Sequence, residues 1–262
     1  MKITQLGLML LAVLAVNVQS AEAQKWGTVT GRFVIDGKAP TLPEDEITKD
    51  VEFCGAKLPN PSLKVSDDGG IQDVAMWLYL DRGDKAPTPH PSYAEAAKKP
   101  VVIDNKACLY EPHVVGILVG QPVEFKNSDP IPHNFKVEGF SNSGMNNLVP
   151  VGGVFEHEFD SEERYPMNAS CSIHPWMAGK IIVRESPYMA VSAKDGTFTI
   201  ENLPVGEHKL QIWHEIPGTI KEMNVGGKKV KDRKGLLEIE VKEGDNDLGD
   251  IKIEADLLTP KK

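Results

Sequence analysis

Only three cysteines, Cys54, Cys108 and Cys171, occur in 262 residues. That is too few for a small disulfide-stapled fold, and none of them sits in the paired spacing of a structural zinc site. Aromatic residues are scarce, at 6% of the chain. Beyond the N-terminus no apolar run approaches the ~18 residues that a membrane-spanning helix needs, so no membrane span is expected. A cation excess is also missing. The formal net charge is −9 and no basic stripe interrupts it, which excludes nucleic acid as an expected partner. Basic or neutral protein surfaces suit it better, with salt-dependent association. Long helical periodicity, internal repeats and low-complexity tracts are lacking too, which disfavours α/β and helix-bundle folds.

The first residues do hold a signal. "MKITQLGLMLLAVLAVNVQSAEAQ" has an early Lys2, an apolar run from Leu6 to Val16 and the small-residue pattern Ala21-Glu22-Ala23. This predicts a secretory leader over residues 1–23, cleaved after Ala23, and therefore a periplasmic or secreted protein. Its removal takes away Lys2 and Glu22 and leaves the net charge unchanged. In an oxidising compartment two cysteines are expected to pair, and the third needs a reason to stay reduced. Cys171 has one in its neighbours, so a Cys54–Cys108 disulfide is expected. It would close a loop of roughly 55 residues, worth about 4 kcal/mol in the chain-entropy treatment.

Beyond the leader the chain reads as strands. "WGTVTGRFVIDGKAP" alternates Val29, Gly31, Phe33 and Ile35 before a turn at Asp36-Gly37, and "IQDVAMWLYL" comes after the turn-forming "SDDGG". Residues 81–100, rich in Pro, Ala and charge, predict a surface loop with one helical turn near Ser92 to Lys98. From Val101 to Val183 short alternating runs recur between turns, the pattern of a β-sandwich. A third all-β block completes the chain, with Asp195-Gly196, Val205-Gly206 and Gly226-Gly227 as turns.

The chemistry concentrates in "SCSIHPWMAGKIIV", where Cys171, His174 and Met177 stand at three-residue intervals. Singly, such residues are more often a small buried hydrophobe, a structural hydrogen-bond donor and core filler. Together they put a thiolate, an imidazole and a thioether on one short loop. A fourth donor must come from elsewhere, and His133 in "SDPIPHNF" is the best placed, at the start of a new strand. Two His, one Cys and a long axial Met is the ligand set of a mononuclear blue-copper site. Structural zinc leaves Met177 unexplained, a binuclear copper centre needs a second cysteine on the loop, and a Cys-His hydrolase needs a separate oxyanion site.

These residues carry a family resemblance. From about Tyr110 to Arg184 the chain resembles the cupredoxins: "YEPHVVGILVGQPVEFKNSDPIPHNF" is similar to their paired strands and "HN" ligand corner. "CSIHPWMAGKIIV" is similar to the ligand loop of the amicyanin and pseudoazurin type. The resemblance implies one type 1 copper held by His133, Cys171, His174 and Met177. It gives Asn134 the role of tying the two ligand segments together, and makes Pro175 and Trp176 an apolar rim beside His174. In the family the edge of the downstream His is the electron port, so Pro132, Pro175 and Trp176 form a candidate docking patch. Core packing is an equal alternative for Trp176.

The flanking segments resemble something else. "DGTFTIENLPVGEHKLQIWHE" and "GTVTGRFVIDGKAP" resemble transthyretin-like or carboxypeptidase-regulatory-type sandwiches. The expected organisation is therefore all-β, with a cupredoxin-like Greek-key sandwich over 101–186 and a second, Ig-like or transthyretin-like sandwich over 187–262. Part of a 24–100 region would complete the second sandwich. His113, His214 and His157 sit on strand-like segments beside carboxylates and read as surface or hydrogen-bonded residues, with His113 the best candidate for more. His90 and His208 receive no role. The acidic runs "PEDEITKD" (43–50) and "SEER" (161–164) read as solvated loops. The expected function is a non-enzymatic electron carrier serving a periplasmic cytochrome or dehydrogenase. The alternative is a copper-binding, carbohydrate-binding or surface-binding module without fast electron transfer.

Overall fold

The computed structural model describes residues 24–260; the leader predicted over residues 1–23 lies outside them. Among the described residues, no helix is long and apolar enough to cross a membrane. The fold is all-β. Among the described residues helix is confined to Val51–Cys54, Ser92–Ala96 and a closing 3-10 turn at Ala255–Leu258.

Two pairs of sheets enclose two cores. In the first pair, strand Trp26–Asp36 lies between Thr197–Pro204, antiparallel, and Gly244–Glu254, parallel. The facing sheet is built on Ala75–Tyr79, Gly206–His214 and Leu236–Val241. Val29, Phe33, Met76, Ile212, Ile251 and Ile253 fill the space between. The alternation in "TVTGRFVID" is thus the pleat of a strand with one face on this core. The Asp195-Gly196 turn packs tightly against it: Gly196 has φ +84°, and a Cβ there would stand 2.3 Å from the Phe33 carbonyl oxygen, so only glycine fits.

In the second pair, one sheet runs in the order Met145–Val149, His133–Glu138, Met167–Ser170, Ala178–Arg184, Val114–Leu118. The other runs Val154–His157, Val123–Asn127, Val101–Lys106, Leu109–Glu111. Phe125, Phe135, Tyr110, Ile117 and Ile181 form this core, with Tyr110 and Phe125 each stacked or tilted on Phe135.

Strands buried on both faces join the two sandwiches. In Ala75–Tyr79, Met76 and Leu78 point into the first core while Ala75 and Trp77 form a third cluster with Val114, Ile182 and Trp213. That explains why "AMWL" and "IIV" are continuous apolar runs rather than alternating ones. A fourth cluster, Ile47, Cys54 and Cys108 with Leu58, Ile131 and Trp176 against it, pins the 45–58 segment onto the second sandwich. The Cys54–Cys108 disulfide is present, with an S–S distance of 2.02 Å.

Candidate metal centre

Topology brings the ligand-type residues to one end of the second sandwich. Strand Met167–Ser170 runs antiparallel to His133–Glu138, with Ser170 opposite Lys136. The chain that continues to Cys171 therefore passes over the start of the His133 strand. The loop closes on itself before strand Ala178–Arg184: the Met177 N–H donates to the His174 carbonyl at 3.0 Å and the Cys171 N–H to the Met177 carbonyl at 3.2 Å. Cys171, His174 and Met177 are all buried, as is His133.

Three donor atoms converge. His133 Nδ1 and His174 Nδ1 are 2.9 Å apart, Cys171 Sγ is 3.7 Å from His174 Nδ1, and all three lie within 4.8 Å of one another. Both rings turn their Nδ1 inward because the outer nitrogens are held by carboxylates. His133 Nε2 meets Asp129 Oδ2 at 2.9 Å, and His174 Nε2 meets Asp50 Oδ2 at 2.8 Å. A carboxylate on the far nitrogen fixes ring orientation and tautomer and raises the basicity of the near one.

Asp129 is itself built in. Its two oxygens accept the N–H groups of Ala107 and Cys108 at 2.7 and 2.8 Å. Those two residues form the hairpin turn between Val101–Lys106 and Leu109–Glu111, both at positive φ (53° and 59°). Tight hairpins require that conformation, yet it costs non-glycine residues roughly 1–3 kcal/mol each. The Asp129 carboxylate and the disulfide at Cys108 hold the turn in it.

The donor set can be tested against a metal. Two imidazole nitrogens bound to one ion at tetrahedral angle stand roughly 3.3 Å apart, so the observed pair needs to open by only a few tenths of an ångström. Burial, reinforced by the neighbouring His174, lowers the His133 pKa against the opposing pull of Asp129, which favours the neutral ring that a metal needs. A thiolate, two imidazoles and a buried thioether suit a soft or borderline ion, and copper above others. A second group, Cys108, Asp129 and His133, also lies within ligand spacing, but the Cys108 sulfur is spent in the disulfide.

Asn134 joins the two halves. Its Oδ1 accepts the Ser172 N–H at 2.8 Å and faces Cys171 Sγ at 3.3 Å, while its carbonyl accepts the Tyr110 hydroxyl at 2.7 Å. The rim residues separate. Pro132 and Pro175 are exposed. Trp176 is half-buried, packs on the disulfide cluster and donates its indole N–H to the Cys108 carbonyl at 3.2 Å.

Two acidic residues change the sequence reading. The 43–50 run is not simply solvated: Asp45–Glu46 pairs with Lys57–Leu58, and Asp50, at φ 47°, carries its carboxylate to His174. His174 is consequently fully buried, and the edge that the resemblance makes an electron port is covered by this segment. Within 161–164, Glu163 is likewise buried and accepts the N–H groups of Phe140, Ser141 and Asn142.

His113 and His214 lie away from this cluster, between the sandwiches; both are buried rather than at the surface, and both are hydrogen-bonded, the Ile216 N–H donating to His214 Nδ1 at 3.3 Å. His113 Nε2 meets Glu215 Oε2 at 2.5 Å, and Lys180 reaches the other oxygen of Glu215 at 3.0 Å. Among the described residues these groups do not form a three-donor metal cluster. Burial depresses His214, 1% exposed, to about 4, against the pull of Glu215. The unfolded chain, with a histidine near 6.5, binds a proton that the fold refuses, so stability falls as pH drops from 6.5 towards 4. The loss approaches about 3 kcal/mol. Glu215 adds to it only at lower pH: burial raises its pKa, but His113 and Lys180 outweigh that and hold it at about 2. Denaturant titrations at pH 7 and pH 5 are expected to differ, and His214→Gln to flatten the difference.

No family model matches the chain, and no curated protein matches it. Solved structures do resemble part of it. A copper-containing nitrite reductase from Thermus scotoductus SA-01 aligns at 25% identity over 41% of this chain with a TM-score of 0.31, so the chain spans only 25% of that protein's length. A purple cupredoxin from Nitrosopumilus maritimus aligns at 29% identity over 32% of this chain and 98% of its own, TM-score 0.27. A Cu(I) form of an amicyanin mutant aligns at 22% identity over 35% and 88%, TM-score 0.30.

Proposed function

We propose that the chain is an exported mononuclear type 1 copper protein that carries electrons between redox partners and performs no substrate chemistry of its own. The observation that carries this reading is the convergence of His133 Nδ1, His174 Nδ1 and Cys171 Sγ within 4.8 Å, with both outer nitrogens occupied by carboxylates. When bound, copper supplies a one-electron Cu(II)/Cu(I) couple. His133, His174 and Cys171 would hold it, with the buried Met177 thioether as a further, weaker donor. Asp129 and Asp50 aim the two rings, and Asn134 fixes the distance between the two ligand segments. A rigid, buried donor set limits rearrangement on electron transfer.

We read 101–186 as the cupredoxin-like unit and 187–262, completed by strand Trp26–Asp36 from the 24–100 region, as a transthyretin-like sandwich. The pairing of Trp26–Asp36 with Thr197–Pro204 and Gly244–Glu254 supports this division. The net charge of −9 suits a partner with a basic or neutral face, such as a periplasmic cytochrome or dehydrogenase. The visible and paramagnetic-resonance spectra of the copper-loaded chain test the reading. An intense thiolate-to-copper band with one copper per chain supports it, and a colourless protein after loading sinks it.

One observation favours a second reading, a copper-binding module without fast electron transfer. The His174 edge is covered by Asp50 rather than open to a partner. Rates of electron exchange with a cytochrome separate the two, since a store need not turn over quickly.

A further inference from the structure

A cleft of about 590 Å³ opens between the two sandwiches, apart from the metal-binding residues. Its charged lining is Arg164, Arg184, Arg233 and Lys234 against Glu162 and Glu185, with Lys234 also paired to Asp81 at 3.5 Å, a local excess of cations on a chain of net charge −9. Arg184, the last residue of strand Ala178–Arg184, is only 5% exposed. Its guanidinium lies over the Trp77 ring, 4.1 Å from the centroid. Nη1 is satisfied by the Glu163 carbonyl at 2.7 Å and by Glu162 at 3.2 Å. Nε and Nη2 are buried without any partner.

That imbalance is informative. Stacking on Trp77 satisfies the guanidinium's face, whereas its N–H groups lie in the plane. Nε and Nη2 share one edge of the fork, the edge that binds a carboxylate or similar oxoanion through two parallel hydrogen bonds. Leaving two such donors out of water and unpaired is costly, because each loses its hydration with nothing in return. Phe140, 95% exposed, and Tyr165, 64% exposed, line the same cleft, the Arg164 guanidinium lying over the Tyr165 ring at 5.3 Å. Exposed rings beside a cationic floor match a ligand that has a flat or cyclic body and an anionic group.

We propose that this cleft binds a small cyclic carboxylate, its oxygens on Nε and Nη2 of Arg184 and its ring against Phe140 and Tyr165. The bound edge is sealed in the free chain, so entry involves a side-chain shift at the cleft floor. The site is independent of the metal: none of its residues belongs to the copper reading, and it can be examined in copper-free protein.

The test is titration of the full copper-free chain, ¹⁵N-labelled, with glucuronate, benzoate, sulfate and glucose. It is followed through the Arg184 Nε–H resonance and by calorimetry. Saturable binding of glucuronate or benzoate that moves this resonance is expected, with glucose inert. Glucuronate binding more tightly identifies a sugar acid, and benzoate an aromatic acid. Arg184→Lys keeps the charge but loses the fork, and is expected to weaken binding about tenfold or more. Tyr165→Ala, on an exposed side chain, is expected to weaken it about threefold or more without disturbing the fold. It serves if the Arg184 variant does not fold. Failure of both acids to move the Arg184 signal overturns the proposal, as does sulfate binding as tightly as either acid or undiminished affinity in Tyr165→Ala.

Discussion

Cys171→Ser is expected to abolish the intense visible band of the copper-loaded protein while the fold survives. The band requires a thiolate, and Cys171 is the free cysteine, its two counterparts being joined. Serine leaves the packing nearly intact, since it differs from cysteine by one atom at the edge of a core. Its hydroxyl can donate to Asn134 Oδ1, which already faces the thiol at 3.3 Å. The cost in stability is therefore held to about 1 kcal/mol, the worth of an ordinary hydrogen-bond rearrangement. Absorption, paramagnetic resonance and thermal unfolding on one sample check all three expectations. Met177→Leu separates the proposed thioether contribution from that of the thiolate. It conserves volume in a fully buried position, so colour should persist while the reduction potential shifts with the lost thioether. A band that survives Cys171→Ser would remove the basis for the copper reading altogether.

The sequence signals that worked were local. Period-two alternation in "TVTGRFVID" and the glycine turns at 195–196 and 226–227 correspond to strands and hairpins, because both arise from backbone sterics within a few residues. The closeness of Cys171 to His174 is legible for the same reason, since both lie on one short loop. The two carboxylates that orient the histidines were not legible. Asp129 lies four residues before His133, and its place in "NSDPIPHN" was a usable sign, masked by the ordinary turn chemistry of Asp-Pro. Asp50 lies 124 residues from His174. Nothing in "PEDEITKD" distinguishes a solvated acidic loop from one delivered onto a buried ring, because the delivery depends on the disulfide and on sheet order. Trp176 shows the limit from the other side: its motif position leaves a surface rim and core packing as equal alternatives, and the Cys108 carbonyl and the disulfide cluster draw it half inside.

Replacing Cys54 and Cys108 together by alanine is expected to release the cover over His174 and to cost about 4 kcal/mol of stability by the chain-entropy rule. Beyond the Asp50–His174 contact, the 45–58 segment has little else to hold it. It contributes two residues to a two-stranded pairing with its own other end, one turn of helix at Val51–Cys54, and the small cluster around Ile47. Val51 and Phe53 are exposed, so the segment buries only part of its apolar surface. Hydrogen exchange reports the release directly. The amides of Ile47 and of residue 54, bonded in the parent to the Ala56 and Asp50 carbonyls, should exchange at least about tenfold faster. Those of Phe135 and Val137 in the core strand should move only with global stability. Asp50→Asn provides the complementary arm. It keeps the cover in place while weakening the acceptor on His174 Nε2, so the exchange rates should stay low. The reduction potential of the loaded protein should then rise, because a less basic imidazole stabilises Cu(II) less. If the disulfide-free chain exchanges electrons faster with a cytochrome and Asp50→Asn does not, steric cover controls access to the centre. If both variants behave alike, the carboxylate acts mainly through the ring it touches. Unchanged exchange in the disulfide-free chain would show that the cover is held by packing alone.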